Sequence, residues 1–323
     1  MHVVMVREFG GPEVLEVVDR PTPAPGAGEA LIEVAYAPAL FLDTQMRAGQ
    51  AREWFATRPP YVPGSGVVGT VAAVGGGVDA AWVGQRVVAD TPTQGGYAEQ
   101  VPLDADALVP VPDGVALDVA AALLHDGRTA LKLTDVTHPQ PGEWVLILGA
   151  AGGLGVLLTQ LARAEGAHVI GAVGDHPRKR ALVDGLGATA VNYGEPDWID
   201  TVRAVTDGAG VDVILDGIGG PLGTAAFELA APGARFCAYG TPGGAFAEIG
   251  HDEAAARDVT LTGIEQVQLG PDEARRLIKR ALAAAAAGSL RPVIGQTFAL
   301  AHAADAHRAI ESRNVYGKTL LEA

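Results

Sequence analysis

Residues 149–155 read Gly-Ala-Ala-Gly-Gly-Leu-Gly and follow directly on the apolar run Trp144–Leu148. Four glycines in seven residues contribute no packing. What they can supply is a tight turn and a backbone that a ligand can touch. Read as Ala150-x-Gly152-x-x-Gly155, with Gly153 and Leu154 inside, the loop is a dinucleotide fingerprint whose first glycine is alanine. The chemistry it suits is anion binding, because backbone N–H groups at the start of a helix lack intrahelical acceptors and favour a pyrophosphate. A strand precedes the loop and an amphipathic helix, "GLGVLLTQLARAEG", follows it. A second strand, "HVIGAV", closes the unit. The alternative is a strand-to-helix turn with no ligand.

The end of the second strand selects among dinucleotides. An NAD site places an acid there, about 20 residues beyond the loop, to take the ribose 2′-hydroxyl. Here the strand ends at Val173, and Arg178, Lys179 and Arg180 follow shortly after. A cationic triplet suits a 2′-phosphate, so NADPH is the expected cofactor. Asp175 opposes this reading. The competing one is a solvated first helical turn, where cations are poorly placed against the helix dipole.

The surrounding elements form two patterns. Residues 1–117 carry short strand-like runs, "EALIEVAYA", "GVVGTVAAV", "GQRVVAD" and "YAEQVPL", cut by Gly and Pro, with one helical piece, "FLDTQMRAG". From 118 to 288 strands and helices alternate, which predicts a doubly wound Rossmann domain with a parallel sheet. Residues 289–323 end in a helix and a strand and are expected to rejoin the first domain. The fold class is therefore α/β, with a β-rich domain (1–117 and 289–323) and a nucleotide domain (118–288).

Composition excludes several functions. The chain of 323 residues has 23 Lys+Arg against 38 Asp+Glu, a net charge of −15. That balance repels nucleic acid and anionic membranes. A single cysteine, Cys237, excludes a disulfide framework and a Cys-rich zinc site. No apolar run reaches the roughly 18 to 20 residues of a membrane span, and no leader core is visible at the start. A cytoplasmic protein is expected.

No metal site is expected either. The eight histidines are scattered, and His302 and His307 are spaced for different helix faces. Hydride transfer without a Lewis acid suits acceptors that are already electrophilic, namely quinones and conjugated enones.

Across nearly its whole length the chain resembles the zinc-free medium-chain dehydrogenase/reductases, the quinone oxidoreductase (zeta-crystallin-like) family. "GGPEVLEV", "PAPGAGEALIEV", "GGYAEQV", "DGRTAL", "GAAGGLGVLLTQLA", "GLGATAVNY", "DGIGG" and "SRNVYGKTLL" occur in the family's order. In "VPGSGVVGTVAAV", Gly64, Ser65 and Gly66 stand where zinc-dependent relatives carry Gly-His-Glu. The resemblance implies a GroES-like catalytic domain and a homodimer joined through the nucleotide domains. It places the NADPH 2′-phosphate near Lys179, Tyr193 and Arg313, with Thr129 near the nicotinamide. Gly217, Tyr239 and Gly240 line the nucleotide. Lys318 either reaches the cofactor or is an exposed strand-end cation.

The chain departs from the family pattern at the substrate. Leu40 and Gln45 replace an Asn and a Tyr beside the acceptor, which predicts a more apolar wall. His125-Asp126 replaces a Leu-Gln pair near the nicotinamide end. Reduction of a C=C bond needs a proton as well as a hydride. His125, Asp126 and Tyr61 are the candidate donors, with Tyr239 a further polar group; Tyr61 also borders the substrate pocket. The competing readings are a helix-start cap pair for His125-Asp126 and a packing aromatic for Tyr61.

Three functions compete. The first is an NADPH-dependent quinone or enone reductase acting on a small molecule. The second is an enoyl reductase tailoring a polyketide-like or other specialised metabolite. The third is a non-catalytic NADPH-binding protein with a structural, sensing or RNA-binding role, against which the charge argues.

Overall fold

The computed structural model describes residues 1–52, 54–92 and 94–323. The chain divides into two units, one of residues 1–125 and 278–323, the other of residues 126–277. The boundaries thus fall at 125/126 and 277/278 rather than at 117/118 and 288/289.

The first unit begins with β1 (His2–Val6), β2 (Leu15–Asp19) and β3 (Glu29–Ala39). Helix α1 (Phe41–Ala48) follows, then β4 (Gly66–Val74), β5 (Arg86–Asp90), β6 (Gln100–Asp104), β7 (Val109–Pro110) and α2 (Leu117–Leu124). Helix α1 ends where the sequence supplies Gly49, left-handed at φ 73°. The run starting at Tyr97 becomes strand only at Gln100. Before that, Gly96 and Tyr97 donate to the carbonyls of Gly64 and Pro63 instead of to a ladder neighbour.

The second unit runs through α3 (Asp126–Thr137), β8 (Trp144–Leu148), α4 (Gly153–Ala164), β9 (His168–Val173), α5 (Pro177–Gly185) and β10 (Thr189–Asn192). It continues with α6 (Trp198–Val205), β11 (Val211–Asp216), α7 (Gly220–Phe227), β12 (Ala230–Ala238), α8 (His251–Ala256), β13 (Thr260–Thr262) and α9 (Ile264–Val267). Helix α10 (Pro271–Ala286) crosses the boundary, and β14 (Ile294–Ala299), α11 (Ala303–Glu311) and β15 (Lys318–Glu322) return to the first unit.

The return is covalent and topological. β15 pairs antiparallel with β3, and β14 pairs with β15, so the tail completes the seven-stranded sheet β14-β15-β3-β4-β5-β7, with β6 also on β3. The second unit holds one parallel sheet in the order β10-β9-β8-β11-β12-β13. Numbered within the unit this order is 3-2-1-4-5-6, the Rossmann arrangement, with its switch point between β8 and β11. Val145–Leu148 are buried almost completely, as a strand covered on both faces requires. Leu146, Ile170, Ile214 and Phe236 from four neighbouring strands join one core cluster.

Among the described residues no helix is long and apolar enough to cross a membrane. None of their His, Cys, Asp and Glu side chains gather in a group of three that could hold a metal ion.

Candidate active site

In the second unit the glycine loop leaves β8 at the switch point. Gly149 is left-handed at φ 75°. Gly152 is not: it is the N-cap of α4 at φ −75°, ψ 167°. Left-handed backbone is thus confined to Gly149, where the chain reverses; Gly152 needs room rather than handedness. Gly155 meets the tightest limit. A Cβ there would lie 2.4 Å from Gly149 O and 2.6 Å from Ala150 Cα, so α4 seats directly on the turn.

The loop after β11 joins this place. A Cβ on Gly149 would touch Ile218 Cδ1 at 3.1 Å. Gly217 and Gly240 are packed just as closely, since a Cβ on Gly240 would lie 2.3 Å from Gly217 O and one on Gly217 would lie 2.7 Å from the Tyr239 hydroxyl. Asp216, fully buried, fixes the loop: its Oδ1 accepts from Ile218 N at 3.0 Å and Gly219 N at 2.8 Å. Burial raises its carboxyl above the ordinary range against the pull of those two donors. Burial first, then Asp216, pushes the Tyr239 phenol far above its usual value, which makes it a poor acid. Cys237 is buried, and its thiol is pushed up to about 12 for the same reasons, in line with a packing role.

At the end of β9 no acid is present. The strand ends at Val173, and the Tyr193 ring covers the next residue, its hydroxyl 3.4 Å from where a Cβ on Gly174 would be. Lys179 stands in the first turn of α5, a helix capped by the His176 imidazole, which accepts from Arg178 N at 3.2 Å. Arg180 pairs with Glu195 at 3.7 Å. Asp175 is exposed beside Gly194. Thr129 lies half-buried in α3.

The first unit carries the remaining expected residues. Leu40 is the N-cap of α1, and Gln45 lies half-buried on that helix. Tyr61 bridges to Val6, with N···O distances of 2.9 and 3.0 Å in the two directions. Burial and the nearby Asp43 push its phenol up to about 12. His125 and Asp126 sit where two helices meet. His125 terminates α2 and closes the first unit, whereas Asp126 opens α3 and the second. The His125 imidazole reaches Asp90 at the end of β5, Nε2 to Oδ1 3.5 Å. Arg313 also lies in the first unit, left-handed at φ 57°, whereas Lys179 and Tyr193 belong to the second. Lys318 is not an exposed cation: it is 4% exposed on β15, and its charge acts on Asp43.

Sequence reasoning passed over a buried polar group in the first unit. Asp43 Oδ2 accepts from Leu40 N at 2.9 Å and lies 3.2 Å from the Tyr97 hydroxyl. That hydroxyl lies 3.0 Å from His307 Nε2. Arg47, one turn after Asp43, is buried and pairs with Glu311. A visible signal existed: an acid and a base four residues apart in an otherwise amphipathic helix, "FLDTQMR".

Known proteins share both units. Residues 26–113 match a family described as the alcohol dehydrogenase GroES-like domain, and residues 186–321 one described as zinc-binding dehydrogenase. Quinone oxidoreductase from Rattus norvegicus is 31% identical over 99% of this chain and 97% of its own. A 2-haloacrylate reductase from Burkholderia is 31% identical over 98% and 97%. A mycobacterial protein solved in complex with NADPH superposes with a TM-score of 0.89 and 34% identity over the whole of both chains. A glycine cradle at the switch point, a GroES-like unit completed by the chain's own tail, and end-to-end similarity at this level have one reading: the chain belongs to the quinone oxidoreductase family, the zinc-free branch of the medium-chain dehydrogenase/reductases.

Proposed function

We propose that this oxidoreductase transfers hydride from NADPH to a quinone or a conjugated enone without a metal. The observation that carries the reading is the meeting of three strand ends in the second unit. The loop after β8 touches the loop after β11 through Gly149 and Ile218, and the end of β9 offers Tyr193 and Lys179 in place of an acid.

The residues fit the cofactor. The first-turn amides of α4, from Gly153, Leu154 and Gly155, would take the pyrophosphate. Lys179 and Tyr193 would take the 2′-phosphate, with Arg178 beside them. Gly217, Tyr239 and Gly240 keep the second wall close and rigid, and Thr129 completes the nucleotide set. When bound, NADPH supplies the hydride.

The acceptor would lie against Leu40, Gln45 and Tyr61, with an aliphatic side chain at position 40. Of the candidate proton donors His125 is preferred, because its imidazole is half-buried with Nε2 3.5 Å from Asp90 Oδ1 and an imidazole can both hold and release a proton. Both tyrosine phenols are too weakly acidic. The departures at Leu40, Gln45 and His125-Asp126 also motivate a second reading, an enoyl reductase of a specialised metabolite. The name of the Burkholderia relative agrees with C=C reduction, since an acrylate is a conjugated alkene. We further propose a homodimer joined along β13, which lies at an edge of the parallel sheet; light scattering in solution tests it.

NADPH consumption against a panel of quinones and enones, with mass analysis of products, tests the function. Turnover of at least one class is expected. Enone products should keep the carbonyl and gain two hydrogens. Tight NADPH binding with no turnover of any acceptor would overturn the reading.

A further inference from the structure

Three buried side chains in the first unit form a line that ends on a residue of the acceptor wall. The line runs from His307 on α11 to Tyr97, then to Asp43 on α1, and from Asp43 Oδ2 to the backbone N–H of Leu40. The separations are 3.0, 3.2 and 2.9 Å. All three side chains are at most 1% exposed. His307 Nδ1 and Asp43 Oδ1, the far ends of the line, have no hydrogen-bond partner among the described residues.

The Tyr97 hydroxyl carries one proton and lies between two groups that could each accept it. If Asp43 is ionised, Tyr97 donates to Asp43 Oδ2 and accepts from His307 Nε2–H. If Asp43 Oδ2 carries a proton, it donates to the Tyr97 oxygen, Tyr97 donates to His307 Nε2, and the imidazole hydrogen sits on Nδ1. The two arrangements differ by one proton. It enters at His307 Nδ1, the Nε2 proton passes to Tyr97, and the Tyr97 proton passes to Asp43; no proton leaves. The imidazole stays neutral in both, because burial first and Arg47 second oppose its cation.

We propose that Asp43, Tyr97 and His307 are positioning residues that hold Leu40 through a hydrogen-bond line of reversible polarity, gripping the Leu40 N–H firmly only while Asp43 is ionised. A carboxylate oxygen is a stronger acceptor than the hydroxyl oxygen of a carboxylic acid, so reversal loosens the first turn of α1. The functional weight of that turn rests on the proposed role of Leu40 at the acceptor wall. The groups facing Asp43 place the reversal in an accessible range. Burial raises its carboxyl to about 6, opposed by the Leu40 N–H, the Tyr97 hydroxyl and Lys318 on β15. Tyr61 faces Asp43 as a neutral phenol, and Arg47 on the same helix is held by Glu311 of α11 and by the more distant Glu13.

Nitrogen NMR of the full chain, labelled at histidine and leucine, reads the line without any substrate. His307 should be the Nε2–H tautomer at high pH and the Nδ1–H tautomer at low pH. The Leu40 amide proton should move upfield with the same midpoint. Tyr97→Phe should freeze the His307 tautomer while Leu40 continues to titrate, and Asp43→Asn should freeze both. A single His307 tautomer across the titration in wild type, or a cationic His307, would overturn the proposal. With an accepted quinone or enone, KM for the acceptor should rise severalfold below the same midpoint while the Kd of NADPH stays constant. Absence of any turnover would count against the proposed function alone and leave the NMR result to judge the line.

Discussion

His125 Nε2 stands 3.5 Å from Asp90 Oδ1, and the same imidazole packs over Gly66, where a Cβ would lie 2.8 Å from His125 Cε1. Gly66 and Asp90 face one another across β4 and β5, so the ring lies over the first rung of that ladder. Position 66 is where zinc-dependent relatives carry a glutamate. A side chain at position 66 would collide with both His125 and Leu124, whose Cδ2 would lie 2.5 Å from the Cβ.

His125→Gln keeps the bulk and removes the acid. Protonation at carbon is slow without a positioned donor, whereas a hydroquinone oxygen takes its proton from water. Enone turnover should therefore fall by about 10²-fold, the low end for general acid catalysis, and quinone turnover far less. NADPH affinity should not change. Parallel pH–rate profiles of wild type and variant on one enone and one quinone check this; equal losses on both would remove His125 from proton transfer.

Gly155→Ala presses a methyl group to within 2.4 Å of Gly149 O, a backbone atom that cannot swing away. A loss of about 1–3 kcal/mol in stability is expected from overpacking, together with a weaker grip on NADPH. Gly185→Ala in α5 is the control, since nothing lies within 4 Å of a Cβ there. It should stabilise by up to about 1 kcal/mol through helix propensity. Urea unfolding and fluorescence titration of NADPH measure both.

Lys179→Ala should weaken NADPH by about 1.5–3 kcal/mol, the worth of a charged hydrogen bond, and leave NADH almost unchanged. Equal losses for both nucleotides would place the 2′-phosphate elsewhere. Competition titrations with the two reduced cofactors separate the outcomes.

The second unit was readable because its rules are local. The turn glycines, the buried strands and the helix stops each follow from a few adjacent residues, and β8-α4-β9 needs only the stretch 144–173. The first unit was readable as strands but not as a set of contacts. Asp43, Tyr97 and His307 are separated by 54 and 210 residues, and only the return of the tail onto β3 brings α11 beside α1. Asp90 escaped notice for the same reason: its partner lies across α2 rather than along the chain. Of the two readings of Lys318, only the exposed strand-end cation fails: such a lysine is usually solvated, whereas this one is buried with Asp43 within reach of its charge.

The buried pair Asp43 and His307 makes a test of stability against pH with opposite signs. Asp43 has its carboxyl raised from 3.8 to about 6, so the folded state keeps a proton that the unfolded chain releases; its contribution is full below about 4 and lost as pH rises through 6. His307 is lowered from 6.5 to about 3, so its contribution is full above 6.5 and is lost as pH falls toward 3. Each changes stability by about 1.4 kcal/mol per pH unit within its window. Between about pH 4 and 6 the two slopes cancel, and wild type should show little pH dependence from this source. Asp43→Asn removes one slope, and stability should then fall on acidification below 6.5. His307→Gln removes the other, and acidification from 6 to 4 should then stabilise relative to wild type by up to about 3 kcal/mol. Urea unfolding at half-unit pH steps on the three proteins reads the slopes directly; parallel curves for all three would show that neither group changes its protonation on folding.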